Sequence, residues 1–267
     1  MEEIFMKKQL FSILLFLLCM FTLAACSGKK NVTDQEVTLD LAFGKMVGTY
    51  TGEMEKGVPN GKGKFTTTNF DQKPWYYEGE FKDGRFSGEG KTVFTESGQT
   101  MEGTYENDIW HPNSLQYYEF VQTLKRSFFE IPETAKQTLK DNDIIFPAKD
   151  ASEVESLVDD TLDYEAIAQS EDYGDKFMYL SDATVKKFYN PFYITENPEK
   201  LDDLNCTYIQ ITDKDGNEYD IYYRGELKDI SEGDTISVYG LPIGKGQNKD
   251  GGFANYIVLA ASFVEPQ

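Results

Sequence analysis

The stretch from Tyr50 to Tyr105 repeats one glycine-punctuated phrase, and that repetition constrains the fold more than any other feature of the chain. Tyr50-Thr51-Gly52-Glu53-Met54 is followed by Gly57, Gly61 and Gly63. Tyr77-Glu78-Gly79-Glu80-Phe81 is followed, at the same offsets, by Gly84, Gly88 and Gly90. A third copy opens at Met101-Glu102-Gly103-Thr104-Tyr105 and breaks off at Asp108, where the next glycine would stand. The copies start 27 and then 24 residues apart, a period at which repeated units stack on their neighbours.

Alternating apolar and polar residues around a glycine-containing turn predict one β-hairpin per copy. A lone hairpin buries too little apolar surface to stand in water, so hairpins in series are expected to stack as a twisted single-layer sheet. The glycines then serve turns with positive φ and places where one backbone closely approaches another. Tyr50, Tyr77, Phe81, Phe94 and Tyr105 are expected to fill the space between rungs.

The phrase resembles the membrane occupation and recognition nexus (MORN) repeat, in which Tyr-x-Gly-x-aromatic precedes spaced glycines and a Gly-x-Gly. Tyr77 to Gly90 carries every one of these residues, the first copy has Met54 at the aromatic position, and the third lacks the later glycines. The resemblance implies an elongated hairpin array used for contact with proteins or, by an older proposal, with phospholipids, and it implies no catalysis. Its repeat and interaction residues here are Tyr50, Gly52, Tyr77, Gly79, Phe81, Gly103 and Tyr105. The competing expectation is that these aromatics stack internally and bind nothing.

At the N-terminus, Met6-Lys7-Lys8 precedes the apolar run Leu10 to Leu18, a charged n-region and an h-region too short to span a bilayer comfortably. The run closes on Leu23-Ala24-Ala25-Cys26, which resembles the lipobox of bacterial lipoproteins. That resemblance implies cleavage before Cys26 and acylation of its sulfur, usually with a further palmitate-type chain on its amine. At about 0.8 kcal/mol per buried methylene, two or three chains make a stable anchor. Residues 26–38 then read as the lipidated cysteine and a flexible polar tether. Cys19 falls within the leader, which leaves Cys206 without a cysteine partner and best explained as a small core residue.

The formal net charge is −20, with 46 acidic residues against 26 basic ones. Such a surface repels nucleic-acid backbones and anionic headgroups. It favours cationic proteins, metal cations or neutral glycans as partners, or simply keeps an exported protein soluble.

After Asn113 the pattern turns helical. Asn113 with Gln116 forms a capping box, and Leu115, Tyr118, Val121 and Leu124 make an apolar stripe. Pro132 opens a second short helix through Leu139, and Ser152-x-x-Glu155 reads as another capping box. These helices are expected to join and brace two β domains. Strands return from Phe177 to Tyr189, from Asn205 to Thr212, from Glu218 to Arg224, from Thr235 to Tyr239 and from Phe253 to Val264. The second and third are joined through Asp215-Gly216, a strong hairpin signal. Five strands in this span suggest a small barrel. Their order, with Gly233-Asp234 before the fourth strand and a long loop before the fifth, resembles an OB-fold. Asp163-Tyr164 with Tyr173-Gly174-Asp175-Lys176 resembles the lead-in to OB-like domains of Gram-positive exported proteins. Residues 159–267 hold 14 Asp and 8 Glu against 8 Lys and 1 Arg, a net of −13, so a stacking groove for single strands would carry the wrong charge.

Catalytic signals are sparse. His111 is the one histidine, which excludes two-histidine zinc motifs, and no Gly-x-Ser-x-Gly is present. Gly240 to Lys245 is one residue short of a phosphate loop, has Gly246 in place of Ser or Thr, and reads as an ordinary loop. Asp213, Asp215 and Asn217 have the alternating oxygen spacing that recruits calcium, although a hairpin explains them without a metal.

The chain is therefore expected to be mainly β (α+β overall), with a MORN-type hairpin array, a short helical linker and a C-terminal five-stranded OB-like barrel. The divisions are 1–25 signal peptide, 26–38 lipidated cysteine and tether, 39–112 repeats, 113–162 helical linker and 163–267 barrel. The expected function is a non-enzymatic interaction or scaffold module without cofactor, held by Cys26 on the extracytoplasmic face of a bacterial cell membrane. Its partner would be a protein and not a nucleic acid. The alternatives are an envelope glycan-active enzyme or enzyme accessory using Asp and Glu, or calcium-dependent adhesion.

Overall fold

A computed structural model describes residues 28–69, 71–124, 128–192, 205–248 and 252–267. It is mainly β and divides into two compact units, residues up to 98 with 104–109, and 99–103 with 110–267. Cys26 and the leader lie outside the described residues.

Seven strands form the first sheet in the order of the chain: β1 Lys30–Leu41, β2 Gly44–Glu55, β3 Val58–Thr68, β4 Pro74–Lys82, β5 Arg85–Phe94, β6 Thr100–Glu106 and β7 Ile109–His111. The ladder from β1 to β5 is antiparallel throughout, as hairpins in series require. One face is buried along the alternation of the sequence, through Leu39, Tyr50, Phe65, Tyr77, Phe81 and Phe86. The stretch expected to be a flexible tether behaves differently from residue 30 on. It is β1, paired with β2 from Lys30↔Met54 to Leu41↔Gly44. Val37, Leu39 and Leu41 alternate onto the buried face, and that burial outweighs the polar residues before them.

In the second unit, β8 Met178–Phe192, β9 Cys206–Thr212, β10 Glu218–Arg224, β11 Thr235–Gln247 and β12 Phe253–Pro266 close on themselves in the order β10-β12-β11-β8-β9. Only β10 and β12 run parallel. The interior is apolar, with Val185, Ile209, Ile211, Ile221, Val238 and Leu259 among its side chains. The β9–β10 hairpin turns at Gly216 (φ 89°), as Asp-Gly predicts. The segment read as a loop, Gly240 to Lys245, lies within β11. Three register shifts bend that strand while Leu241 and Ile243 stay fully buried, so hydrophobic alternation prevails over the glycines.

The helices are not a linker. α1 Ser114–Gln122, α2 Glu133–Asp141 and the segments after them belong to the second unit. Their Tyr117, Tyr118, Val121, Phe129, Leu139 and Phe146 form one core with Cys206, Tyr222, Leu241, Ile243, Val258 and Ala260 on the outer side of the closed sheet. The capping box at Asn113 and Gln116 is present, with both reciprocal bonds. Ser152 to Glu155 instead forms parts of two 3-10 turns, over 151–153 and 155–157, the first capped by Asp150, whose Oδ1 accepts from the Ser152 N–H. A third helix, α3 Tyr164–Gln169, is capped by Asp163 and inserts Ile167 into the interior core.

Candidate functional site

Glycines of the repeat form a column across four strands, with Gly52 opposite Gly63, Gly63 opposite Gly79, and Gly79 opposite Gly90. The tyrosine rings lie over this column. A Cβ on Gly63 would come within 2.3 Å of the Tyr50 hydroxyl, and one on Gly90 within 2.3 Å of the Tyr77 hydroxyl. The hydroxyls are anchored in turn. Tyr50 donates to the Glu53 carbonyl at 2.7 Å, and Tyr77 to those of Glu80 at 2.9 Å and Ser87 at 3.2 Å. Burial, with Glu53 adding to it, pushes the Tyr50 phenol up to about 12, and burial raises Tyr77 further, so both stay neutral. Phe81 meets Tyr50 and Tyr77 edge-on at 5.1 Å, Phe86 stacks on Tyr77 at 3.9 Å, and Tyr105 meets it at 4.9 Å. A Cβ on Gly103 would fall 2.7 Å from the Gln116 side-chain oxygen, so that side chain closes over the glycine. The structure thus brings together the first-unit interaction candidates Tyr50, Gly52, Tyr77, Gly79, Phe81 and Tyr105, but as the inside of a sheet. The aromatic side chains among them are buried within the repeat.

The opposite face of the sheet is polar. Thr51, Lys64, Glu78 and Lys91 stand in register across β2 to β5. Lys64 lies 3.9 Å from Glu78 and 3.7 Å from the centre of the Tyr76 ring. These exposed pairs add little to stability and leave the face able to exchange its bonds with another molecule.

Asp108 solves the break in the third copy. It holds φ 75° where Gly57 holds 86° and Gly84 holds 82°. Its N–H donates to the Phe86 carbonyl, as the Gly84 N–H donates to the Pro59 carbonyl. The side chain that no glycine has is fully used, accepting from Arg85 Nη1 at 2.7 Å, the Phe86 N–H at 2.7 Å and the Ala42 N–H at 2.8 Å. Burial raises its carboxyl, against these bonds, which lower it. The sequence signal was the aspartate in a glycine's place.

On the outer face of the closed sheet, Asp220 is 7% exposed and accepts at Oδ1 from the Tyr208 hydroxyl at 2.9 Å and Gln210 Nε2 at 3.3 Å. Burial pushes its carboxyl up to about 6. Tyr189 stands 5.9 Å from Tyr208 and is 43% exposed. Tyr256 stands across from Glu218, and Asp220 helps to raise its phenol after burial. A recessed acceptor flanked by tyrosine rings can hold N–H and O–H donors against an aromatic surface. A single carboxylate inside Tyr219 to Tyr223 was the sequence signal for this patch.

Asp213 of the calcium candidates is occupied by its turn. Oδ1 accepts from the Asp215 and Asn217 N–H groups, and Oδ2 from Asn217 Nδ2 and the Tyr219 hydroxyl. Among the described residues no group of three or more His, Cys, Asp or Glu is arranged to hold a metal. Cys206 is a free, buried thiol, pushed up to about 12 by burial. No described helix is long and apolar enough to cross a membrane. Compared with known proteins, the chain finds no match among curated ones. The family model of the MORN repeat matches residues 50–72 and 77–99, so the sheet carries two MORN repeats.

Proposed function

We propose that the protein is a lipid-anchored extracytoplasmic lipoprotein of the bacterial envelope that works without catalysis, as an interaction module for a protein partner. The observation that carries the proposal is the pair of MORN repeats standing close behind the lipobox-like Leu23-Ala24-Ala25-Cys26. MORN repeats suggest a module for protein or membrane contact. An OB-like reading of the second unit is supported by the order β8-β9-β10-β12-β11 returning to β8, with its third and fifth strands parallel. The Tyr208, Asp220 and Tyr256 patch lies on its second, third and fifth strands and offers cationic or hydroxyl-bearing side chains a place to dock.

Two measurements test the proposal. Radiolabelled palmitate fed to cells is expected to mark the wild type and not Cys26→Ala, and unlabelled wild type would remove the anchor. Crosslinking on intact cells, followed by pulldown, is expected to recover one specific protein, with less of it in Asp220→Asn. Glycan hydrolysis by the soluble portion, abolished in Asp220→Asn, would replace this proposal with the glycan-active alternative.

A further inference from the structure

The geometry points to a membrane-facing edge on the repeat sheet: the β2–β3 hairpin tip at Lys56-Gly57, followed by the β4–β5 tip at Asp83-Gly84, rests against the headgroups of the bilayer that holds Cys26. This inference rests on the anchor proposed above. It comes from the length of chain between Cys26 and β1. Because β1 begins at Lys30, the leash is four residue steps, at most about 14 Å when fully extended.

The register fixes which end of the sheet that leash holds. Lys30 pairs with Met54 and Asn31 with Glu53, so β1 starts beside the end of β2 that turns into β3. Glu55↔Val58 closes that turn, and Lys82↔Arg85 closes the next one on the same edge. The two tips touch, with the Gly84 N–H donating to the Pro59 carbonyl at 2.9 Å. The opposite edge, with the turn at Ala42-Phe43 and the connection from β3 to β4, lies ten paired strand steps from Lys30, because β1 carries one extra residue between Val32 and Gln35, and is about 33 Å away at the usual rise. A 14 Å leash cannot exchange those two edges.

The tips suit a headgroup layer without requiring anionic lipid. Val58 is 39% exposed. Lys29, Lys30, Lys56 and Lys82 are exposed, and Glu53, Glu55 and Asp83 lie among them. The mixed charge leaves the anchor, and not electrostatic attraction, to hold the edge down.

Full-length acylated protein in phosphatidylcholine vesicles tests this. Lys56→Cys, Lys82→Cys and Asp71→Cys are labelled one at a time with a fluorophore, while the buried Cys206 stays unlabelled. Quenching by headgroup nitroxide lipids is expected to fall in the order 56, 82, 71, several-fold from first to last, and to persist when anionic lipid is added. A twelve-residue Gly/Ser spacer inserted after Gly28 is expected to level the three. Equal quenching at 56 and 71 without the spacer, or stronger quenching at 71, would overturn the orientation while leaving the anchor intact. The mass of the N-terminal peptide separates the two ideas, because an unmodified Cys26 would overturn the anchor itself.

Discussion

At the scale of single residues, two positions carry consequences that their neighbours do not. Gly90 has no room for a methyl group, because the Cβ would fall 2.3 Å from the Tyr77 hydroxyl and 2.6 Å from the ring. Gly90→Ala is therefore expected to lower stability by about 1–3 kcal/mol through overpacking. Gly28→Ala, where no heavy atom lies within 4 Å, is expected to change nothing, and urea midpoints of the two variants check the contrast. Asp220 is the opposite case, a side chain held at a disadvantage. Its carboxyl is pushed up to about 6 by burial, so between the unfolded value near 4 and that point the folded chain binds more protons than the unfolded one. Stability must then fall as pH rises through this window, and ionised Asp220 costs up to about 3 kcal/mol at pH 7.5. Asn keeps an oxygen for Tyr208 and Gln210 without the charge. Asp220→Asn is expected to raise the urea midpoint at pH 7.5, to leave it nearly unchanged at pH 4, and to flatten the profile between. A variant less stable at pH 7.5 would show that the carboxylate has partners worth more than its desolvation.

At the scale of elements, Asp108 joins the turn after β1, the start of β5 and the turn before β7 through one carboxylate. Asp108→Ala is expected to lower stability by about 2–4 kcal/mol, since the buried Phe86 N–H loses that acceptor and a side chain remains at positive φ. Asp108→Gly restores the residue of the earlier copies and its free backbone, so its loss should be smaller. Thermal melts should rank wild type above Gly above Ala. The same aspartate marks how far the sequence could be read. The hairpins and their glycine turns followed from spacing alone, because both are local consequences of period-2 alternation and of positive φ at Gly57 and Gly84. The β9–β10 hairpin and the Asn113 cap were equally local. The burial of Tyr50 and Tyr77 against a binding role was undecided, since an aromatic that packs inward and one that waits for a ligand have the same spacing. Lys30 to Thr38 looked like a tether because its partner strand lies beyond a turn, and no local spacing singled out Asp220, whose partners Tyr208 and Gln210 stand on the neighbouring strand. What the sequence hid in each case was a contact to another strand.

At the scale of the whole molecule, the division between units does not follow the boundary between repeats and helices. Residues 99–103 and Trp110 belong with the second unit, although both fall within residues 39–112, the span expected for the repeats. Trp110 explains this assignment within that unit. It is 1% exposed, its Nε1–H donates to the Glu102 carbonyl at 3.0 Å, and its ring meets Phe120 at 5.5 Å. A fragment cut where the helical pattern begins, 113–267, would leave Phe120 without that cover, whereas 99–267 keeps both partners of the indole. Removing a buried tryptophan typically costs about 3–5 kcal/mol, so the shorter fragment should unfold at a distinctly lower urea concentration than the longer one. Trp110→Ala in 99–267 should reproduce most of the deficit, which separates loss of the ring from loss of chain length. Equal midpoints for the two fragments would mean that the indole stabilises the repeat sheet instead, and that the second unit is complete from Asn113.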